Sequence, residues 1–260
     1  VADSKTEFLK IVSLNQEKIN IKINKYQRKI WRNYKSEIGL PENYCYLYGN
    51  PIKVHVPLDT APNGLMIIGA YPTAHFNVIG SETNVPVEDH LYPFSNEIYF
   101  DGSSINTVKS GSEIEEYFLK KLNINRNDCW ITDLVKVFLF KKGHIEKYRR
   151  LGNTIQSETR SEFNNFAKKS KIYINEEIQL ATPKVIIGLG TEVNSIMLDK
   201  GEKGATLLMS NSEMVNYSLN GIDYPYFPLP HPGILMRNTQ GTINWRDTLN
   251  KSLLSVKKFL

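Results

Sequence analysis

The stretch Leu65 to Phe76, LMIIGAYPTAHF, narrows the fold more than any other part of the chain. Four apolar residues in succession, Leu65 to Ile68, follow the turn signal Pro62-Asn63-Gly64 and are stopped by Gly69 and Pro72. A strand without polar alternation has to be covered on both faces, as a central parallel strand is. Three further runs repeat the pattern, Cys129 to Phe140, Val185 to Leu189 and Tyr224 to Leu229. Helical patterns lie between and after them. One carries Ile114, Tyr117, Phe118 and Leu122 behind a cap at Ser112-Glu113, a second runs from Glu162 to Leu180, a third is capped by Thr191, and the last starts near Thr242 with Trp245, Leu249, Leu253, Val256 and Leu260 on one face. This alternation predicts an α/β fold, a parallel sheet of four strands with helices on both faces.

Ahead of the first strand, Phe8 to Ile38 reads as one helix, because Ile19, Ile23, Tyr26, Ile30, Tyr34 and Ile38 step by three or four and Gly39-Leu40-Pro41 ends the pattern. The chain therefore divides into a helical extension packed on the core, residues 1–50, and a principal domain, residues 51–260. An amphipathic partner-binding helix is the alternative for the extension. Residues 41–64 read as a loop, 77–111 as a long irregular stretch and 201–221 as a surface excursion. Long irregular stretches are functional or disordered, and the aromatics of 77–111 argue against disorder. Lys141 to Arg150, KKGHIEKYRR, is the densest basic run, a solvated loop or a phosphate contact. Gly188 and Gly190 lack the third glycine and the later acid of a dinucleotide fingerprint and read as a tight strand-to-helix turn.

A formal charge of +5 permits an anionic partner without requiring one. Two cysteines, Cys45 and Cys129, are too few for a disulfide framework or a four-cysteine metal or iron-sulfur site. The expectations are a reducing, cytoplasmic setting, no metal, no cofactor and a monomer. The opening VADSKTEFLK has no signal-peptide pattern and no run approaches membrane-spanning length, so no membrane partner is expected.

Residues with chemical character collect at the carboxyl ends of the strands: Gly69-Ala70-Tyr71-Pro72, Asp133, Gly188-Leu189-Gly190 and His231-Pro232-Gly233. His231, held between two prolines just past a strand, is rigidly aimed and has two ring nitrogens for donor duty; capping a turn carbonyl is the bland alternative. The ordered set of GxxP after an apolar strand, Pro93-Phe94 in the next loop, WITDLVKV, PKVIIGLG and a late HPG before a terminal helix resembles the uracil-DNA glycosylase superfamily, most nearly its thermostable iron-sulfur branch, over roughly residues 60–255. The resemblance implies a three-layer α/β/α sandwich around a four-stranded parallel sheet, DNA as partner, single- or double-stranded, and hydrolysis of the bond between a flipped base and its sugar. It implies His231 as donor to the leaving base, Phe94 as the ring on which the base stacks, and residues Gly69, Ala70, Tyr71, Pro72 and Thr73 as the pocket floor. Phe100 competes with Phe94 for the stacking role. Gly233, Ile234, Leu235 and Arg237 would contact DNA, with Leu235 as wedge and Arg237 on phosphate.

Two departures from the family pattern bear on chemistry. The water-positioning Asp, Asn or Glu of the family is replaced by Ala70 and Tyr71; the Tyr71 hydroxyl could order water or the ring could close the pocket, and His75 is a nearby substitute. Asp133 stands where the family has an Asn that reads the base edge. An ionised Asp only accepts hydrogen bonds and favours a base bearing an amino group, whereas a protonated Asp mimics the amide. The bland alternative pairs Asp133 with Lys136. The functional expectation is thus a monofunctional DNA glycosylase for a damaged or modified base, with no lysine placed as a Schiff-base nucleophile. Its rivals are a catalytically silent nucleic-acid-binding relative and a small-molecule enzyme on the same sheet.

Overall fold

The computed structural model describes residues 2–235 and 243–260, with side chains from residue 16 onward. The first helix, α1 (Ala2–Ile38), turns one face inward. Ile23, Tyr26, Ile30, Tyr34 and Ile38, at the expected spacing, are buried. After β1 (Leu65–Gly69) come two hairpins, β2 (Ala74–Ile79) with β3 (Glu82–Asp89), and β4 (Ile98–Phe100) with β5 (Ile105–Thr107). The chain then forms α2 (Lys109–Ile114), a wider π turn, α3 (Lys120–Leu122), β6 (Cys129–Asp133), α4 (Lys142–Arg150) and α5 (Phe163–Ala181). It ends with β7 (Val185–Leu189), α6 (Thr191–Met197), α7 (Glu202–Ser210), β8 (Val215–Leu219), β9 (Ile222–Leu229), α8 (Pro232–Leu235) and α9 (Trp245–Val256).

The main sheet has the order β6-β1-β7-β9-β8, with β6, β1, β7 and β9 parallel and β8 antiparallel at the edge. The four expected parallel strands are present, and every residue of β1, β6 and β7 is buried. Alternate side chains feed opposite cores, since strand residues point to the two faces in turn. Met66, Ile68, Trp130 and Ile186 join one cluster, with α1 and α5, while Leu65, Ile67, Ile131 and Ile187 join another, with Phe118 and the α9 residues Leu249 and Leu253. These are the layers of an α/β/α arrangement.

Several local expectations are corrected. The 77–111 stretch is not irregular, since it holds both hairpins. Residues 201–221 form α7 and β8, and Asn220-Gly221, both at positive φ, make the two-residue turn into β9. The apolar run from Cys129 leaves the sheet after Asp133, although its remaining residues to Phe140 stay buried. The basic run is a helix rather than a loop, and it spends Lys147 on the Thr83 and Asn84 carbonyls and Arg150 on Glu82. Neither Ser112 nor Thr191 caps a helix: Ser112 lies inside α2, bonded to the Lys109 carbonyl, and Gly190, at φ +87°, occupies the position before α6.

A buried polar knot joins α1 to the sheet. Glu177 of α5 pairs with Lys136 at 2.5 Å and accepts hydrogen bonds from the Tyr26 hydroxyl and, at 2.9 Å, from the Trp130 indole. Lys136 also donates to the Thr132 hydroxyl and the Asp133 carbonyl, and its backbone N–H donates to the Tyr34 hydroxyl. A buried charge without such partners would be costly, so each member depends on the others.

Candidate active site

The strand order reverses at β1: the chain steps from β1 to β6 on one side and then to β7 and β9 on the other. Such a reversal opens a crevice at the carboxyl ends of the strands. Residues following β1, β7 and β9, together with Asp133 at the end of β6, line a cavity of about 390 Å³. Among them are Ala70, Tyr71, Pro72, Thr73, Phe94, Asp133 and His231, all singled out in the sequence. Gly69 lies beneath: a Cβ there would meet the Asp133 carboxylate at 2.3 Å and the Phe94 ring at 2.5 Å, so glycine is what lets these two close on the floor.

Phe94 is nearly buried and adopts φ +52°, left-handed for a bulky residue. A turn holds it there, with Ser95 N–H donating to the Tyr92 carbonyl at 3.1 Å, and α2 presses on that turn through Gly111, where a Cβ would meet the Ser95 carbonyl at 2.1 Å. Strain of this kind collects at functional sites. Phe100 is excluded as the stacking ring, since it is 62% exposed on the β4–β5 hairpin and does not line the cavity.

Asp133 is 2% exposed, and burial, the largest influence, pushes its carboxyl up to about 7. His55 and Lys136 oppose the rise and Glu177 adds to it. The ammonium of Lys136 is committed to Glu177, Thr132 and the Asp133 carbonyl rather than to the Asp133 carboxylate, which corrects the pairing alternative.

His231 accepts a hydrogen bond at Nδ1 from the Gly233 N–H, 3.1 Å away. A nitrogen that accepts is unprotonated, so this bond assigns the proton of the neutral ring to Nε2. Gly190 permits this placement, because a Cβ there would come within 3.3 Å of the His231 Cβ.

Tyr71 lies in the loop that follows β1 and lines the cavity. Its hydroxyl accepts from Arg160 Nε at 3.0 Å and keeps its own proton, while burial raises its pKa. The Arg160 guanidinium lies over the Tyr71 and Phe163 rings and pairs with Glu192. Glu192, at the start of α6, thereby joins Asp133 as the second carboxylate lining the cavity.

Beyond the His231 turn the structure separates the proposed DNA contacts. Leu235 is 4% exposed and belongs to the core cluster with Leu249 and Leu253, so it does not stand at the tip as a wedge would. Ile234 is half-buried. Arg237 lies outside the described residues.

Four lining residues carried no legible sequence signal. His55 is 3% exposed with neither ring nitrogen hydrogen-bonded, and its backbone N–H donates to the Lys136 carbonyl, which sets it beside the β6 end. His90 and His144 also line the cavity, both held down to about 4 chiefly by burial and therefore neutral at pH 7. Glu192 is the fourth. Each is a lone polar residue from a distant segment, and only the folded sheet brings them together. His75, the suggested substitute near Tyr71, is not among the lining residues.

The family model of the uracil DNA glycosylase superfamily matches residues 59–254, most of the chain and all of the strands that build the cavity. No curated protein matches the chain.

Proposed function

The chain belongs to the uracil DNA glycosylase superfamily, and from that premise we propose that it is a monofunctional DNA glycosylase that hydrolyses the bond between the sugar and a flipped, deaminated or otherwise modified base. The observation that carries this reading is the His231 turn. The Gly233 N–H holds the ring of this cavity-lining side chain and puts the proton of the neutral ring on Nε2, across the sheet edge from Asp133. In the reaction, water adds to the anomeric carbon as the bond to the base nitrogen breaks, and the base leaves with the bonding electrons. A fixed donor on the base oxygen stabilises that negative charge, a contribution of about 2.7–4 kcal/mol for one donor in comparable sites. Phe94 supplies the stacking surface, with ~1–3 kcal/mol per base.

Glu192 is the residue we assign to the attacking water. Ala70 has no polar group and the Tyr71 hydroxyl carries no negative charge, whereas Glu192, held by Arg160, brings a carboxylate to the cavity lining. Asp133 and His55 read the base edge. With a midpoint near 7, Asp133 offers a donor and an acceptor below neutrality, the pattern of an amide, and two acceptors above it. Keto-bearing bases such as uracil are favoured below that midpoint and amino-bearing bases above it. Ile234, rather than the buried Leu235, is the apolar residue assigned to enter the duplex.

The test is incubation of the protein and of His231→Ala with oligonucleotides carrying uracil, hypoxanthine, xanthine, cytosine and modified cytosines, followed by alkaline cleavage at abasic sites. Base release lowered about 10²–10³-fold by His231→Ala is expected. Salt-sensitive DNA binding without release of any base would support instead a silent binding relative, which the loss of the family carboxylate at Ala70 and Tyr71 favours. Absence of DNA binding would refute both.

A further inference from the structure

Next to the base cavity, three side chains have the composition of a metal centre. His75 of β2, His90 just after β3 and Glu97 just before β4 each present one candidate ligand atom, all within 4.8 Å of one another. The Nε2 of His75 is buried without a hydrogen bond, although Glu97 Oε1 lies only 3.3 Å away. Leaving a buried polar atom unsatisfied costs about 1–3 kcal/mol, so its persistence calls for another partner. A tetrahedral ion with bonds of about 2.0–2.1 Å holds its ligand atoms roughly 3.3 Å apart, the separation found between His75 and Glu97.

The surroundings fix these groups as outer-shell groups fix metal ligands. Tyr99 stacks on the His75 ring with centroids 4.2 Å apart, and the Glu88 carboxylate faces His75 Nδ1 at 3.8 Å. The Leu91 N–H and the Ser95 hydroxyl both donate to Glu97 Oε1, at 3.1 and 2.9 Å, and so hold the carboxylate beside His75, with its second oxygen available to turn toward an ion.

We propose that His75, His90 and Glu97 bind one divalent transition-metal ion, zinc being the best match to two imidazoles and a carboxylate, and that the ion clips the β2–β3 hairpin to the turn bearing Phe94. His90 and Glu97 bracket that turn in sequence, so the ion ties down both ends of the segment that holds Phe94 at its left-handed φ. Its role is positional, and no bond of a substrate is made or broken at it. The expectation of no metal came from counting cysteines, which covers thiolate sites and does not reach a centre built from imidazole and carboxylate.

The test needs no DNA and is independent of the reaction assigned above. Chelator-stripped wild-type protein is titrated with zinc against a chromophoric competitor, with His75→Gln and Glu97→Gln in parallel and melting curves recorded for all three. One equivalent bound by the wild type, a raised melting temperature, and at least tenfold weaker binding by each variant are expected. Zinc-edge absorption fine structure of the wild type should count two imidazoles, and that spectrum decides alone where a variant fails to fold. No stoichiometric binding, binding unchanged in both variants, or fewer than two imidazoles overturns the proposal.

Discussion

Replacing Asp133 with Asn keeps shape and removes a charge, which makes it a direct probe of the pocket's electrostatics. An unfolded Asp loses its proton near 3.9, and the folded one keeps it to about 7. Between these values the folded state binds more protons than the unfolded state, so stability falls as pH rises and levels off above the folded midpoint. Three tenfold steps at about 1.4 kcal/mol each give about 4 kcal/mol as the full cost of ionising Asp133 in place. A buried site responds with a higher effective dielectric than a dry interior, so about 4 kcal/mol is an upper figure. His55 and Lys136, which favour the charge, and Glu177, which opposes it, remain in both proteins, so the difference between the two curves isolates the Asp133 carboxyl. Urea unfolding of wild type and Asp133→Asn from pH 5 to pH 9 should show the variant's advantage growing by up to about 1.4 kcal/mol per pH unit to near neutrality, then holding constant. Base release should follow: the variant's preference among keto and amino bases becomes independent of pH, while the wild type's changes across neutrality. A stability difference that is flat from pH 5 to pH 8 would refute the reasoning, because the carboxyl would then be titrating at its ordinary value.

Glu192→Gln is expected to slow base release by at least tenfold in single-turnover assays while DNA affinity stays within about twofold; unchanged release would remove Glu192 from the assignment. Leu235→Ala should destabilise the fold by about 2–5 kcal/mol in urea unfolding, as core truncations do, with DNA affinity of the folded protein retained. Ile234→Ala should do the opposite, weakening duplex binding with little loss of stability, and a reversed outcome would return the wedge to Leu235.

The sequence made the sheet legible because continuous apolar runs leave few alternatives to buried parallel strands. Met66 and Ile67 face opposite cores, yet both must be apolar, and that requirement is visible residue by residue. The same signal overshot at Leu134 to Phe140, where burial continues without a strand, since hydrophobicity reports cover and not backbone pairing. The edge strand β8 lies outside the expected four although Asn220-Gly221 is a hairpin signal and Val215 to Leu219 alternate, because five half-exposed residues are a short signal within a polar, glycine-bearing stretch. Tyr71, Phe94, Asp133 and His231 stand next to strand ends or in recognisable dipeptides, and all four line the cavity. His55, His90 and Glu192 carry no local pattern, and the Phe94 backbone geometry depends on a helix, α2, that presses on it through Gly111. Convergence of distant side chains is a property of the folded sheet, and one-dimensional periodicity does not encode it.

The knot around Glu177 has a consequence for how the molecule opens. The carboxylate serves Tyr26 of α1, Trp130 of β6 and Lys136, and Lys136 in turn holds the backbone at Asp133 and at His55. Peeling α1 away would strip the charge pair of one partner and loosen the cavity wall at Asp133 and His55 in the same event. The helix, α5 and the first edge of the sheet are therefore expected to open as one cooperative unit, and native-state hydrogen exchange should give their buried amides a common opening free energy. Loosening of the N-terminal helix and loosening of the cavity wall at Asp133 and His55 are thereby coupled through one buried carboxylate.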